Sequence, residues 1–337
     1  MSTDTLSDVL RAVRLTGAVF FDVTARAPWV AEAPAARDIA HHIMPGSEHV
    51  IEYHLLTAGR CYACPVGYPS VSVELGPGDL VIFPQGDPHV MSSAPGMRGV
   101  PPALEDYRRP IGGSLPIRLH EGVGGGEPTT LICGFLGYDA RPFNPLLSTL
   151  PRTLVMRRDQ LSNRPSSALA SVTKLAELAV AESQARRAGS ECVLSRLSEL
   201  LFVEAIRAHV ETLSTDETGW LGALRDEHVG KALALLHGRP AHAWSIEELS
   251  AEVGLSKSLL MERFVHFVGV PPIQYLAKWR MQLAAERLRA TTESLAEIAE
   301  YIGYGSESAF SRAFKRMVGM APASFRKAPA IPVRAAV

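Results

Sequence analysis

The sequence predicts a mixed α+β chain: a β-barrel first, then central helices, then an all-helical region with two similar helix pairs joined by a long helix. Three observations predict this class. Short β-branched runs alternate with Gly and Pro up to about residue 158, apolar residues recur at helical spacing from residue 167, and the C-terminal region contains an internal repeat. At 337 residues the chain has room for about two domains of roughly 150 residues each. We predict segments at 1–158, 167–215 and 219–328.

The composition excludes several classes of protein. Lys and Arg number 34 and Asp and Glu 35, so the net charge of −1 gives no overall basic field. The N-terminal MSTDTLSDVL lacks the basic and apolar regions of a secretion signal, and no apolar run reaches the roughly 18 residues of a membrane span. Four cysteines are too few for a disulfide framework in a chain of this length. We expect a cytoplasmic protein with reduced thiols and no membrane partner.

The first half contains short runs that are typical of strands. The run SVSVEL alternates with period two, and the breakers AGR, GPG and PQGDP separate neighbouring runs. The runs are VIEYHLL (50–56), SVSVEL (70–75), DLVIF (79–83) and TTLICGFLGY (129–138). This pattern predicts a sandwich or barrel of short strands.

The central segment is predicted to form two helices with more apolar surface than one contact face requires. The apolar residues that recur at helical spacing are Leu175, Leu178, Leu194, Leu197, Leu201 and Ala205. Two alternatives stay open: the second helix packs against the barrel, or it contacts a second subunit. Both can hold, and we predict a homodimer whose contact uses residues 169–211.

The C-terminal region repeats one pattern about every 49 or 50 positions. Ser245 begins the pattern Ser-x-x-Glu, which recurs at Ser294 and is typical of a capping box at the start of a helix. Gly254 and Gly303 follow at matching places, where a tight turn between two helices needs a left-handed residue. Each copy therefore predicts a helix-turn-helix.

A long helix is predicted over 272–291, between the two copies. Twenty residues give about 30 Å, close to the roughly 34 Å between successive major-groove faces. Residues 256–327 contain eleven basic and six acidic side chains, a local net charge of +5. This asymmetry favours a DNA-binding surface over the alternative, a helical bundle with solvated basic faces.

The second copy, EIAEYIGYGSESAFSRAFKRMVGMAPASFRK (297–327), resembles the C-terminal signature of the AraC/XylS family of bacterial transcription regulators. Residues 219–240 and 271–288 are also similar to this family. RLSELLFVEAIRAHV (196–210) resembles the subgroup whose N-terminal domain is an AraC-type cupin, and the similarity spans most of the chain. The resemblance implies promoter DNA, a small-molecule effector and RNA polymerase as partners, and leaves activation or repression open.

The resemblance also implies which residues contact DNA in the major groove. In the first recognition helix they are Ser256, Lys257, Ser258, Met261 and Glu262. In the second they are Ser306, Glu307, Ser308, Ser311, Arg312 and Lys315. The chain has Gly305 where many members of the family have Glu, and for Ser258 and Ser311 a simple solvent-exposed position stays the alternative.

The first half carries the second cupin motif, G-x5-P-x-G-x2-H, from Gly78 to His89. The first cupin motif is degraded, and only His54 lies in the expected strand, two residues after Glu52. An enzymatic cupin supplies two His, a Glu and the later His to one metal. We predict that His54 and His89 line an effector pocket, and that the chain is not an enzyme.

A metal site is a further hypothesis for this pocket. If the turn after His54 centres on residues 57–58, a hairpin places His54 opposite Cys61, and a closed barrel brings Cys133 near His89. His54, Cys61, His89 and Cys133 would suit tetrahedral Zn²⁺, the one cofactor that the sequence suggests. The alternatives are that these residues only line a pocket or fill the core. The runner-up function is a metal-dependent cupin oxygenase or isomerase fused to a DNA-binding domain.

Overall fold

The computed structural model describes residues 4–13, 15–107, 115–138, 142–158, 167–185, 187–214 and 217–328. The chain forms two compact units. Among the described residues, the sheet unit lies within 15–138 and 150–211, and the helical unit within 4–13, 142–149 and 212–328. The predicted α+β class is confirmed.

Ten strands occur within the described residues, all of them in the sheet unit. They are β1 (Thr16–Ala25), β2 (Val30–Ala33), β3 (His49–Ala58), β4 (Cys61–Pro65), β5 (Val73–Leu75), β6 (Leu80–Phe83), β7 (His89–Ser92), β8 (Ile117–Glu121), β9 (Thr129–Tyr138) and β10 (Leu154–Met156). Six form a sheet in the order β10-β6-β3-β9-β1-β8, and four form a second sheet in the order β2-β7-β4-β5. Only β1 and β8 pair in parallel among these described strands.

Twelve helices occur in the described part of the chain. They are α1 (Thr5–Ala12), α2 (Ala36–Ile43), α3 (Ser167–Ala185), α4 (Ser190–Thr212), α5 (Trp220–Ala223), α6 (Glu227–Gly238), α7 (Ile246–Val253), α8 (Lys257–Val268), α9 (Pro272–Ala290), α10 (Leu295–Tyr301), α11 (Glu307–Val318) and α12 (Pro322–Lys327). Searched over the same residues, no helix combines the length and the apolar content that crossing a bilayer requires.

The two sheets enclose one apolar core. Val23, Phe83 and Leu131 contribute to it from the six-stranded sheet, and Ala63 and Met91 from the four-stranded sheet. Alternate residues of a strand point to opposite faces, so each strand gives this core every second side chain. The predicted barrel or sandwich of short strands is confirmed in this arrangement.

The predicted hairpin between His54 and Cys61 is wrong. His54, in β3, lies opposite Val81 on one side and Cys133 on the other. Cys61 begins β4, which belongs to the second sheet. The reason lies at Gly59, whose φ of +79° turns the chain out of the first sheet instead of closing a hairpin within it.

Helix α4 packs closely on the six-stranded sheet. The Ser195 hydroxyl donates to the Gly17 carbonyl at 2.5 Å, and the Gly17 N–H donates to Glu199 at 3.2 Å. Tyr53 and Ser198 share a buried hydrogen bond of 2.5 Å between their hydroxyl groups. The apolar residues of α4 that are buried are Leu194, Leu197, Leu201, Phe202, Ala205, Ile206 and Ala208. These contacts agree with the core-packing alternative for this helix.

The helical unit is organised around α9, which the sequence predicts over 272–291 and which ends at Ala290 with Thr291 as its C-cap. In its second half, Met281 and Leu288 pack in one buried cluster with Phe310, Phe314 and residues of α10 and α12. Gln282, 1% exposed, donates to the carbonyl of Ala12 at the end of α1 at 2.8 Å. The N-terminal helix is thus part of the helical unit.

Gly17→Ala is expected to destabilise the protein by about 1–3 kcal/mol, because overpacking at a tight contact forces the backbone apart. A Cβ at Gly17 would lie 2.6 Å from the Ser195 carbonyl oxygen and 2.7 Å from the Ser198 Cβ. Urea unfolding followed by circular dichroism measures the change. Gly125→Ala is the matched control, because a Cβ there meets nothing within 4 Å. Equal stabilities of the two variants would contradict the tight contact.

Candidate functional site

The first helix-turn-helix is formed by α7 and α8. Ser245 caps α7 by accepting a hydrogen bond from the Glu248 N–H at 3.0 Å, and Gly254 ends α7 with a φ of +76°. Ser256 caps α8 by accepting from the Leu259 N–H at 3.3 Å. Because L-residues rarely adopt positive φ, the glycine allows the sharp turn into the second helix.

The second helix-turn-helix is formed by α10 and α11 and repeats this local chemistry. Ser294 and Glu297 form the capping box that the sequence predicts, with hydrogen bonds of 2.7 and 3.2 Å. Gly303 has a φ of +78°, and a Cβ there would collide with the backbone of Ala241. Ser306 caps α11. Both copies of the predicted helix-turn-helix therefore form.

Phenylalanine and leucine side chains hold both second helices on the core. Leu260 and Phe264 of α8, and Phe310 and Phe314 of α11, are fully buried. Since these residues recur every four positions, they leave the opposite side of each helix free of packing.

The residues predicted to contact DNA lie on that opposite side. Nine of the eleven are exposed, and the other two, Met261 and Ser311, are half-buried. The exposed ones are Ser256, Lys257, Ser258, Glu262, Ser306, Glu307, Ser308, Arg312 and Lys315. Their exposure makes them accessible to a DNA groove. Their contacts with DNA stay a prediction.

The two recognition helices differ in charge. On α8, Lys257 pairs with Glu247 at 2.6 Å and Arg263 pairs with Asp226 at 2.5 Å. Both of these basic side chains therefore have an acidic partner within the protein. On α11, three exposed basic residues lie within one turn: Arg312, Lys315 and Arg316. Arg316 was missed by the sequence reasoning, although its place four residues after Arg312 puts it on the same face. The stronger positive surface belongs to the second helix.

A buried hydrogen-bonded group lies beneath the first recognition helix. Tyr275 of α9 packs edge-to-face on Phe264, and its hydroxyl accepts from the Trp220 indole N–H at 2.8 Å. The Tyr275 hydroxyl lies 2.8 Å from Nε2 of His237, to which it can then donate. His237 stacks on Trp279, and burial lowers the pKa of His237 to about 3. The histidine is therefore neutral in the folded chain at neutral pH.

The sheet unit contains a pocket of about 450 Å³. Apolar and aromatic side chains form most of its wall, and His54 and His89 both line it, as the sequence predicts. Cys133 also contributes to the wall, as does Glu52, a residue absent from the predicted site. Glu52 is two residues before His54 in β3, so the two side chains lie on the same face of the strand. This spacing is the signal that would have identified Glu52.

At the inner end of the pocket, Glu52, His54 and His89 converge. Their nearest ligand atoms lie within 4.8 Å of one another, and all three residues are buried. Nε2 of His54 lies 2.7 Å from Nε2 of His89, and Nδ1 of His89 lies 3.0 Å from the Asp87 carbonyl oxygen. His89 can donate only from Nδ1 to this carbonyl, so its Nε2 accepts and His54 donates. Both rings are then neutral.

Burial keeps these groups uncharged. It raises the pKa of Glu52 to about 8, lowers that of His89 to about 4 and lowers that of His54 well below its ordinary value. The 3.8 Å contact between Glu52 and His89 is therefore no ion pair at neutral pH, because neither partner carries its charge. The inner end is a neutral, hydrogen-bonded cluster.

The two cysteines of the predicted zinc set are not among the converging residues, although Cys133 lines the pocket. Cys61 and Cys133 belong to the apolar cluster between the sheets. Burial raises the pKa of Cys61 to about 12 and also raises that of Cys133, which favours thiols over the thiolates that bind metals. The set of His54, Cys61, His89 and Cys133 stays a prediction, which elemental analysis of protein purified without chelator tests.

A sheet-rich, cupin-like unit with a pocket, followed by two helix-turn-helix units on one core, defines a class of protein: a DNA-binding transcription regulator with a sensory domain. Comparison with known proteins supports this. The family model described as Cupin matches residues 4–211, and the model described as Helix-turn-helix domain matches residues 249–328.

Relatives over the whole chain define the family. A putative AraC-like transcription regulator of Streptomyces lividans is 29% identical over 98% of this chain and 100% of its own length. The HTH-type transcriptional regulator MtrA of Neisseria gonorrhoeae is 30% identical over 81% of this chain and 85% of its own. A second putative AraC-like regulator, from Streptomyces antibioticus, is 43% identical over 42% of this chain and 46% of its own. The chain belongs to the AraC-type transcriptional regulators with an N-terminal cupin domain.

The stability of the chain is expected to depend on pH through His237. Its folded pKa of about 3 lies below the ordinary 6.5, so the unfolded chain binds a proton that the folded chain does not. The stability that neutral His237 contributes is present above pH 6.5 and is lost as the pH falls towards 3. Between pH 7 and pH 5 the free energy of unfolding of the wild type should therefore fall by about 2 kcal/mol more than that of His237→Gln.

Urea unfolding followed by tryptophan fluorescence at the two pH values measures this difference. Tyr275→Phe is the matched control: it removes the hydroxyl that contacts His237, keeps the buried imidazole, and should keep the pH dependence of the wild type. Parallel pH curves for the wild type and His237→Gln would show that His237 is not held neutral by burial.

Proposed function

We propose that this chain is an effector-responsive regulator, in which a small molecule bound in the sheet-unit pocket controls promoter binding by the helical unit. One observation carries the proposal: the same chain contains a pocket of about 450 Å³ and two capped recognition helices with exposed polar faces. Pockets of this size and apolar character are typical of small-ligand sites.

In the proposed DNA complex, α8 and α11 enter successive major grooves on one side of the duplex. Helix α9 joins the two copies and has 19 residues. That gives it a length of about 28 Å, near the roughly 34 Å repeat of the groove. The basic residues of α11 favour stronger electrostatic contact by the second copy.

We propose that the pocket binds its ligand without transforming it. Its histidines are neutral and hydrogen-bonded to each other, and the buried cysteines favour the thiol form, so none of these groups is an activated nucleophile. The relatives that cover most of this chain are named as regulators. The runner-up function, a metal-dependent oxygenase or isomerase, would require turnover of a bound molecule, which the binding proposal does not.

We further propose a cytoplasmic homodimer that contacts RNA polymerase at its promoters. The support for the dimer is apolar surface on α3 and α4 that the sheet unit leaves uncovered: Leu178, Val193 and Leu200 are 48, 41 and 50% exposed. Val193 and Leu200 are seven residues apart, two helical turns, and so share one side of α4. The support for the polymerase contact is family membership alone.

Arg312→Ala is expected to cost roughly 1–3 kcal/mol in binding to the cognate site and little on random DNA, because an arginine on the recognition helix can pair with guanine O6 and N7. Competition binding assays on both DNAs measure the two losses. Arg312→Lys is the matched control: it keeps the charge but loses the bidentate geometry, so it should also lose specificity. If Arg312→Ala loses equal affinity for both DNAs and Arg312→Lys keeps the wild-type affinity, Arg312 contacts only the phosphate backbone.

Leu200→Glu is expected to convert the full-length dimer to a monomer, because it places a charge in the proposed apolar contact. Multi-angle light scattering should give about twice the 36.4 kDa chain mass for the wild type and one chain mass for the variant. Val123→Glu, at a fully exposed valine in a loop, is the control and should stay dimeric. A monomeric wild type at tens of micromolar would rule out a specific dimer of this kind.

A further inference from the structure

The pocket of the sheet unit is acidic. Four carboxyl side chains line it, and among the described residues no lysine or arginine does. The four are Glu32, Glu52, Asp106 and Glu121. Arg98 neutralises Glu32 from outside the lining, through contacts of 2.6 and 2.9 Å. The other three carboxyl groups offer hydrogen-bond acceptors and, where ionised, negative charge.

Two polar atoms at the inner end of this pocket have no hydrogen-bond partner among the residues that the structure describes. They are Oε1 of Glu52 and Nδ1 of His54, on side chains whose residues are only 2 and 8% exposed. The hydrogen bond that His54 donates from Nε2 to His89 leaves its Nδ1 with a lone pair. Since buried polar groups are normally paired, the inner end lacks a donor that a ligand can supply.

The wall around these acceptors is aromatic. Phe21, Trp29, Tyr107 and Phe135 line the pocket beside Glu52. Aromatic faces attract cations and bury apolar groups. The Trp29 indole N–H is also buried, and it has no partner in the described part of the chain.

We propose that the effector is a cationic amine, a primary ammonium group carried on an aromatic body. The ammonium group has three N–H donors, which match the unpaired atoms of Glu52 and His54. The aromatic body packs among the rings of the wall. A carboxylate of the same shape would bring further acceptors and no donor to the same place. The inference rests on the proposed role of this pocket as the effector site.

The pocket cannot hold the proposed ammonium group and a zinc ion on His54 and His89 at the same time. A metal ligated by His54 and His89 would place two positive charges where the ammonium group is proposed. Two nitrogens bound to one tetrahedral zinc lie about 3.3 Å apart, whereas the two Nε2 atoms here are 2.7 Å apart, a hydrogen-bond distance. The arrangement of the histidines therefore favours the amine, and one experiment separates the two occupants.

Isothermal titration calorimetry of the full chain with tryptamine, tryptophol and indole-3-acetate tests the ligand class. The three probes share an indole ring and end in a cation, a neutral hydroxyl and an anion. Tryptamine is expected to bind at least about tenfold more tightly than either of the others. Glu52→Gln should remove this preference. Glu74→Gln, at a half-exposed carboxyl outside this pocket, should keep it.

Equal or tighter binding of tryptophol or indole-3-acetate to the wild type would overturn the amine, and so would a failure of all three to bind. Stoichiometric zinc that must be removed by a chelator before tryptamine binds would overturn it as well. The comparison of probes uses the wild type, so it does not depend on the folding of any variant. An electrophoretic mobility-shift assay with DNA on the same samples tests the regulator proposal separately from the amine proposal. Absence of DNA binding would contradict the regulator function, while the calorimetry tests only the class of ligand.

Discussion

One shared helix sets the geometry on which DNA binding depends. Tyr275, near the start of α9, packs on Phe264 of the first recognition helix. Met281 and Leu288, further along α9, pack with Phe314 of the second. Because close-packed cores tolerate little rearrangement, a single rigid rod then fixes the separation and orientation of both helices. The exposed polar faces of α8 and α11 follow from this packing, since each helix commits its aromatic side to α9.

The helical unit could be predicted in detail because its signals are local. The serines at 245, 256, 294 and 306 cap helices by accepting hydrogen bonds from the backbone N–H three positions further on. Gly254 and Gly303 adopt the positive φ that the turn requires, and this requirement is set by the local backbone. The duplication supplied a second, independent copy of the same evidence. For these reasons the limits of α9 were predicted to within one residue.

The pocket could be predicted only in part, because strand pairing is not a local property. The sequence places His54 and His89 on strands, but it does not show that the chain leaves one sheet at Gly59 and starts another at Cys61. The assumed hairpin therefore gave His54 the wrong neighbour, and Cys133 occupies that place instead. Glu52 was passed over for a related reason: a carboxyl group in a strand becomes a site residue only when the fold buries it beside two imidazoles.

Selection of binding sites from a random DNA pool with the purified full chain tests the central claim most directly. If α9 holds the two recognition helices at a fixed separation, the enriched sequences should contain two blocks whose centres lie about 10 base pairs apart, on one face of the duplex. A single short block, two blocks at variable spacing or no enrichment at all would contradict an account in which both helix-turn-helix units read DNA together.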